Sequence, residues 1–229
     1  MNLNEIAREI HENAVAHGWW ETERPARREG ESPTKLEDGA SHRKAVACHH
    51  QDGDRPTSET IALIHSEWSE ALKEYRAGRP MVWKSCDIYG GMCEGACRTE
   101  GDYCSHRDPK PEGVAVGLVD GCIRILDFSA HVWPEPWKDL TMQSLAEDAD
   151  RLAPEEELPA LVAMLHYVTA IAYYQLVKKE NDDARSTLYG CMVRVYAFLR
   201  DNGCDMEAIL REKHAYNQTC PYRHGGKRC

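Results

Sequence analysis

The stretch Thr57 to Gly78, TSETIALIHSEWSEALKEYRAG, decides the fold that this sequence predicts. Its apolar residues recur every three or four positions, which is the spacing of an amphipathic α-helix packed against other helices. Those apolar positions are Ile61, Ile64, Trp68, Leu72 and Tyr75. Three glutamates, Glu67, Glu70 and Glu74, share another face. Carboxylates this close repel one another unless solvent, basic side chains or a cation offsets them, so this face is either solvated or part of a charged site.

The ends of this helix and the positions of the others follow from local signals. Thr57 or Ser58 is a candidate N-cap, and Gly78 followed by Pro80 ends the helix. The same periodicity predicts helices over residues 2–17, 113–133, 142–152, 158–179, 186–202 and 205–217. No strong strand pattern occurs. The sequence therefore predicts one all-α helical bundle over 1–229, with a polar loop at 21–56 and a Cys-rich insertion at 81–112.

Composition excludes several classes of protein. The formal net charge of −10 argues against a partner that is a nucleic-acid polymer, because neutralising phosphates requires clustered Lys and Arg. The N-terminus is charged and amphipathic, unlike a signal peptide, and no apolar run is expected to be long enough to span a membrane. We therefore expect a cytoplasmic protein whose 10 cysteines are reduced thiols or metal ligands.

The helix predicted at 113–133 is apolar nearly all round, yet it carries Asp120, Arg124 and Asp127 at i, i+4 and i+7. A buried carboxylate is costly unless it is paired or coordinates a metal. Arg124 could form a structural ion pair with either aspartate. Alternatively, facing carboxylates from two neighbouring helices can build a metal site in a bundle core, and all-oxygen ligands favour Mg²⁺ or Mn²⁺.

Magnesium suggests phosphate chemistry, in which the metal neutralises phosphate oxygens and activates a water. The chain has no Walker A loop and no dinucleotide fingerprint. Basic groups gather instead near the C-terminus, where they either hold a polyphosphate or form a solvated tail. These groups are Lys213, Arg223, His224, Lys227 and Arg228.

The Cys-rich insertion carries a candidate site of its own. Its cysteines have the spacing C-x6-C-x3-C-x6-C, in which only one pair has the short spacing common in zinc sites. They are Cys86, Cys93, Cys97 and Cys104. A structural zinc ion would supply folding energy to a loop that is too short for its own core, with free thiols or an iron–sulfur cluster as the alternatives.

Four blocks of the chain resemble the MazG-like all-α nucleoside triphosphate pyrophosphohydrolases, in particular small phage and prophage members. The blocks occur in the family's order but cover less than half of the chain. They are NEIAREIHENAVAHGWW at 4–20, IALIHSEWSEALKEYRAG at 61–78, PEGVAVGLVDGCIRILD at 111–127 and EKHAYNQTCPYRHGGKRC at 212–229.

The resemblance implies an enzyme that uses Mg²⁺ or Mn²⁺ to cleave NTPs or dNTPs into a nucleoside monophosphate and pyrophosphate. Glu67 and Glu70 match the family's first acidic pair, and Asp120 matches the last residue of its Glu-x-x-Asp motif. Lys213 and Asn217 match residues that contact phosphate in relatives. With Arg223 and Lys227 they form the predicted substrate-binding set. The family also implies a homo-oligomer.

Three departures from the family pattern bear on activity. Ser66 and Cys220 replace an acid and an arginine that relatives often carry, and Gly117 stands where the Glu of Glu-x-x-Asp is expected. Either Glu74 or Asp127 rebuilds the site, or activity is lost. Gly117 and Gly121 also have a structural explanation, since two glycines one turn apart permit close helix packing. The alternatives are thus an impaired nucleotide-binding or regulatory protein and a zinc-stabilised interaction module.

Overall fold

Helices form most of the chain that the structure describes, as the sequence predicts for the all-α class. The computed structural model describes residues 1–21, 56–86, 91–92, 109–133, 137, 140–153 and 157–220. The elements in chain order are α1 Leu3–Ala16, α2 Thr57–Arg76, β1 Trp83–Cys86, β2 Gly91–Met92, β3 Lys110–Glu112, α3 Val114–Val132, α4 Met142–Ala149, α5 Leu158–Lys178, α6 Asn181–Asp201 and α7 Met206–Gln218. The predicted polar loop lies outside these residues except at its two ends, and so does most of the Cys-rich insertion.

Helix α3 is the centre of the fold. It packs against α1, α2, α6 and α7, and it is buried along most of its length, as its apolar sequence predicts. Its first turn is joined to the chain before β1, because the Ala115 amide donates to the Met81 carbonyl at 2.8 Å. Gly113 makes this junction with φ 119°, a conformation that disfavours any other residue. Side chains on α3 therefore face several elements at once.

Helix α2 follows the predicted stripe over its first three turns. Ile61, Ile64 and Trp68 are buried, whereas Tyr75 is 50% exposed, so the last position of the predicted stripe is wrong. The predicted N-cap is also wrong, because Pro56 precedes the helix and no side chain caps it. The predicted stop is confirmed, since Gly78 adopts φ 67° just after the helix.

Two glycines let α2 and α3 pack closely. A Cβ added to Gly117 would lie 3.0 Å from the backbone nitrogen of Ala71, and one added to Gly121 would lie 2.6 Å from Cε3 of Trp68. The close approach predicted from the spacing of these glycines is therefore confirmed. It holds the acidic face of α2 against the charged residues of α3.

The remaining helices agree with the sequence except at some ends. Trp19 and Trp20, which follow α1, are both buried in the core. Helix α6 begins at Asn181, five residues before the predicted start. Asp205 caps α7 as predicted, with its Oδ1 accepting a hydrogen bond from the Ala208 amide at 3.1 Å.

The sequence shows no strong strand pattern, but the structure contains short strands that the analysis did not identify. Three short strands form an antiparallel sheet in the order β2-β1-β3, with Trp83 paired to Glu112 and Ser85 paired to both Lys110 and Met92. Strand β3 packs against α3 and α7, and Lys84 on β1 forms an ion pair with Glu212 on α7. The sheet thus docks the described residues of the insertion onto the helices.

Helix α5 departs from the expectation that no apolar run has membrane-spanning length. It is long and apolar enough to cross a membrane by length and composition, and 28% of its most apolar window is buried inside the protein. The core helix of a soluble protein passes the same test. Here α5 packs on α2 and α6.

Candidate functional site

The three charged residues of α3 each find a partner on a different element. Asp120 Oδ2 lies 2.8 Å from Lys213 Nζ on α7, and Arg124 Nε donates to Glu67 Oε1 on α2 at 3.2 Å. Asp127 is held from the α1 side and is described separately below. The sequence left open an ion pair between Arg124 and one of the two aspartates. In the structure neither aspartate pairs directly with Arg124. The ion pairs instead run between helices.

Two adjoining cavities lie beside these ion pairs and share four charged residues. The shared residues are Glu67, Lys110, Asp120 and Lys213. The first cavity, of about 270 Å³, is strongly acidic, because Glu70, Glu74 and Glu112 join the shared residues on its wall. The second, of about 260 Å³, is partly apolar. Its further lining residues are Ile10, Ala14, Trp19, Ile123, Arg124, Asp127, Tyr216, Asn217 and Cys220.

Glu67 is the carboxylate most affected by this setting. Burial raises its pKa, and the neighbouring Asp120 adds to the rise, while Arg124 and Lys213 oppose it. Burial alone would lower the pKa of Arg124, but Glu67, Asp120 and Asp127 together raise it. Arg124 is therefore a permanent cation that favours the ionised form of Glu67.

Glu70 and Glu74 line the acidic cavity but have partners of their own. Glu70, whose side chain is 47% exposed, forms an ion pair with Lys73 at 2.6 Å. Glu74 is buried, and its Oε2 accepts a hydrogen bond from Trp83 Nε1 at 2.7 Å. The structure thus brings Glu67, Glu70, Glu74 and Asp120 to one cavity. Among the described residues, no three His, Cys, Asp or Glu side chains form a group that could hold a metal as they stand.

Asp127 lies toward the second cavity. Its Oδ1 is 2.8 Å from Nδ1 of His11, and the indole Nε1 of Trp20 donates to both of its oxygens, at 2.9 and 3.2 Å. Trp20 also stacks on His131, with ring centroids 3.8 Å apart. These contacts explain how Asp127 can be buried. Asp127 lines the second cavity together with Glu67, whereas Glu70 and Glu74 line the acidic cavity.

Lys110 and Glu112 are site residues that the sequence analysis did not select. They form an ion pair on β3, and both line the acidic cavity. Burial lowers the pKa of Lys110, but the hydrogen bond and charge of Glu112, with smaller contributions from Asp120 and Tyr216, raise it overall. The sequence did contain a signal for these two residues, because both belong to KPEG (110–113), which stands directly before α3. Only the tertiary position of β3 shows that Lys110 enters the cleft.

Helix α7 supplies the other side of the cleft. Lys213 and Asn217, both predicted to contact phosphate, line the second cavity together with Cys220. Burial raises the pKa of the Cys220 thiol, although Lys213 and Lys110 oppose that rise. The predicted contacts Arg223 and Lys227 lie outside the described residues.

The predicted zinc ligands stay a prediction. Cys86 ends β1. Cys93, Cys97 and Cys104 lie outside the described part of the chain. The structure therefore provides no test of a metal in the insertion.

Comparison of the chain with protein-family models, with curated proteins and with solved structures finds no match. The family resemblance thus rests on the four sequence blocks.

A second pair of titratable residues joins α2 to α5 away from the two cavities. His65 Nδ1 lies 2.7 Å from His166 Nδ1, and the two rings are stacked. At this distance one imidazole donates and the other accepts a hydrogen bond. Burial lowers the pKa of both side chains, and the charge of His166 lowers that of His65 further.

This histidine pair predicts a loss of stability in mild acid. Below a pH of about 6.5, the ordinary histidine pKa, the unfolded chain binds more protons at these two histidines than the folded protein does. The free energy of unfolding therefore falls as the pH falls. Denaturant unfolding between pH 7 and pH 5 measures the slope. We expect the His166→Gln variant to have a shallower slope than wild type, while His17→Gln, at the end of α1, keeps the wild-type slope. Equal slopes in all three proteins would contradict this assignment.

Proposed function

We propose that the chain is a Mg²⁺-dependent nucleoside triphosphate pyrophosphohydrolase of the MazG-like kind. One observation carries the proposal. Carboxylates from α2, β3 and α3 line the same cleft as two lysines from β3 and α7. A triphosphate with its cation requires this combination, because the carboxylates hold the cation and the lysines contact phosphate oxygens.

The residues present fit a hard divalent cation that takes most of its ligands from the substrate and from water. Mg²⁺ is commonly bound by one or two protein carboxylates, with substrate phosphates and waters as the other ligands. Glu67 and Asp120 are the two carboxylates shared by both cavities, and Asp120 is close enough to raise the pKa of Glu67. They would hold the ion that arrives with the nucleotide, and Glu70 would extend the acidic wall. A bound Mg²⁺ would neutralise phosphate oxygens and polarise the attacking water.

The other residues act on the nucleotide and on these ligands. Arg124 favours the ionised form of Glu67 and so opposes the rise that burial causes in the pKa of this carboxyl. Lys110 and Lys213 stand where they can stabilise the charge that develops on the leaving pyrophosphate. Asn217 lies beside Lys213 in the partly apolar cavity, which would take the nucleoside. Glu74, fixed by Trp83, can orient the water.

Pyrophosphate release from a panel of NTPs and dNTPs with Mg²⁺ tests the proposal. We expect turnover with at least one nucleotide, and we expect Glu67→Gln and Asp120→Asn each to lower kcat/KM by about a hundredfold or more. Glu12→Gln, an exposed change on α1 outside both cavities, is the matched control and should leave the rate unchanged. Turnover that survives both cleft substitutions would contradict the assignment.

A second candidate function is nucleotide binding without turnover. It is favoured by Gly117, which leaves the α3 side of the acidic cavity one carboxylate short and packs directly on Ala71. The same assay distinguishes the two functions. If wild type binds nucleotides with Mg²⁺ but releases no pyrophosphate, and Gly117→Glu does release it, the native protein is a binding protein. Gly117→Ala controls for the strain, since any Cβ here presses on the α2 backbone.

A further inference from the structure

The partly apolar cavity carries charged groups at two separate places along α3. Asp120 pairs with Lys213 at 2.8 Å, and both line the cavity. Asp127 also lines it, two helical turns further along the same face of α3, which corresponds to a distance of about 10 Å. A nucleoside monophosphate spans about this length. A nucleotide whose phosphates meet Lys213 can therefore bring the edge of its base to Asp127.

Asp127 is the carboxylate of this cavity that no described lysine or arginine contacts. Glu67 and Asp120, the other two, each form an ion pair with a basic residue of another helix. Asp127 is held instead by the imidazole of His11 and the indole of Trp20, and its side chain is only 5% exposed. A buried carboxylate is costly unless hydrogen-bond donors surround it, so a further donor from a ligand would be favourable here.

One oxygen of Asp127 has room for that donor. A carboxylate only accepts hydrogen bonds, so Nδ1 of His11 carries the hydrogen that lies between it and Oδ1. Oδ1 also accepts from Trp20 Nε1 at 2.9 Å. Among the described residues, Oδ2 receives only the longer branch of this indole bond, at 3.2 Å. Each carboxylate oxygen offers about two acceptor sites, so Oδ2 can accept one more N–H.

The walls of the cavity suit the faces of a nucleobase. Ile10 and Ala14 of α1 and Ile123 of α3 line it with aliphatic groups, and Trp19 and Tyr216 add aromatic ones. A base is flat and presents its polar atoms along its edge, whereas its faces pack well on apolar and aromatic side chains. A cavity with such walls and one incompletely bonded carboxylate can therefore distinguish bases by a single edge position.

We propose that Asp127 selects nucleotides whose base carries an exocyclic amino group, such as cytosine and adenine, over those with an oxygen at the same ring position, such as uracil and hypoxanthine. This inference rests on the proposed function, which places the nucleoside in this cavity. The amino group would donate to Oδ2 in a charge-assisted hydrogen bond. A carbonyl oxygen at the same position would be repelled by the carboxylate and would leave Oδ2 without a further donor.

Isothermal titration calorimetry with the α,β-imido analogues of dCTP and dUTP tests the proposal. These analogues lack the bond that the proposed reaction cleaves, and their bases differ only along the edge in question. We expect wild type with Mg²⁺ to bind the dCTP analogue at least about tenfold more tightly than the dUTP analogue. In Asp127→Asn the side-chain amide can donate to a carbonyl, so this preference should fall at least about tenfold or reverse. The analogues of ATP and ITP should behave in the same way.

His11→Gln is the matched control, since it changes a contact between α1 and Asp127 but keeps the carboxylate. It should retain the wild-type preference, and circular dichroism checks that both variants are folded. If Asp127 only holds α1 against α3, the two variants should weaken both analogues alike and leave their ratio unchanged, which would overturn the proposal.

The wild-type protein provides a test that does not depend on how Asp127→Asn folds. Equal affinity of wild type for the dCTP and dUTP analogues, or tighter binding of the dUTP analogue, would overturn the selection by Asp127 and leave the proposed function standing. Binding of none of the four analogues would instead contradict the proposed function, and the inference with it.

Discussion

Gly121→Ala adds one methyl group and is expected to lower the free energy of unfolding by about 2–4 kcal/mol. The new Cβ would lie 2.6 Å from Cε3 of Trp68, with two further ring atoms nearer still. Trp68 has no room to move, because it is fully buried and its Nε1 donates to Thr169 Oγ1 on α5 at 3.1 Å. The gain in helix propensity from Gly to Ala, about 1 kcal/mol, does not offset this clash.

Gly190→Ala is the matched control. Gly190 also lies inside a helix, α6, but the nearest atom that its Cβ would meet is a guanidinium nitrogen of Arg194 at 3.6 Å. Propensity then dominates, so this variant should be as stable as wild type or up to about 1 kcal/mol more stable. Denaturant unfolding followed by tryptophan fluorescence compares the two. Equal stability of the Gly121 and Gly190 variants would mean that α2 does not pack on α3 as described.

The sequence predicts the core of this fold well where periodicity and burial coincide. The stripe on α2 identified Trp68, and the largely apolar sequence of α3 identified it as a buried helix. Periodicity failed at Tyr75, which is 50% exposed although it continues the apolar stripe of α2. It also missed β3, because a three-residue strand containing a proline is stabilised by pairing with β1 and not by its own pattern.

The candidate site was predictable in part of its membership, with Lys110 and Glu112 missed, but not in its pairing. Spacing along a helix shows that Glu67 and Glu70, or Asp120 and Arg124, share a face. It cannot show which residue of another helix each one meets. Arg124 binds Glu67 across helices, and that choice depends on how closely the glycines let α2 approach α3. Asp127 was grouped with the acids by spacing alone, whereas residues from the α1 side hold it.

Asp120→Asn is expected to destabilise the protein by about 2–3 kcal/mol, because it leaves the Lys213 ammonium buried without its closest counter-charge. The pair links α3 to α7 at 2.8 Å, with the two side chains only 7% (Lys213) and 18% (Asp120) exposed. Lys213→Met should cost less, since Lys110 lies in the same cleft and still offsets Asp120. The double variant Asp120→Asn/Lys213→Met removes both charges and should recover part of the loss.

A double-mutant cycle on these four proteins measures the coupling, which we expect to be about 1–3 kcal/mol and largely insensitive to salt. Asp182→Asn is the control on a surface pair, because Asp182 meets Arg185 at a similar distance but is 91% exposed. It should change stability little in low salt and not at all in high salt. Additive effects of the Asp120 and Lys213 substitutions would mean that the two charges do not interact in the folded protein. Under the proposed function, Asp120→Asn also removes the negative charge that competes with a phosphate for Lys213, so nucleotide affinity should rise in this variant if no cation is present.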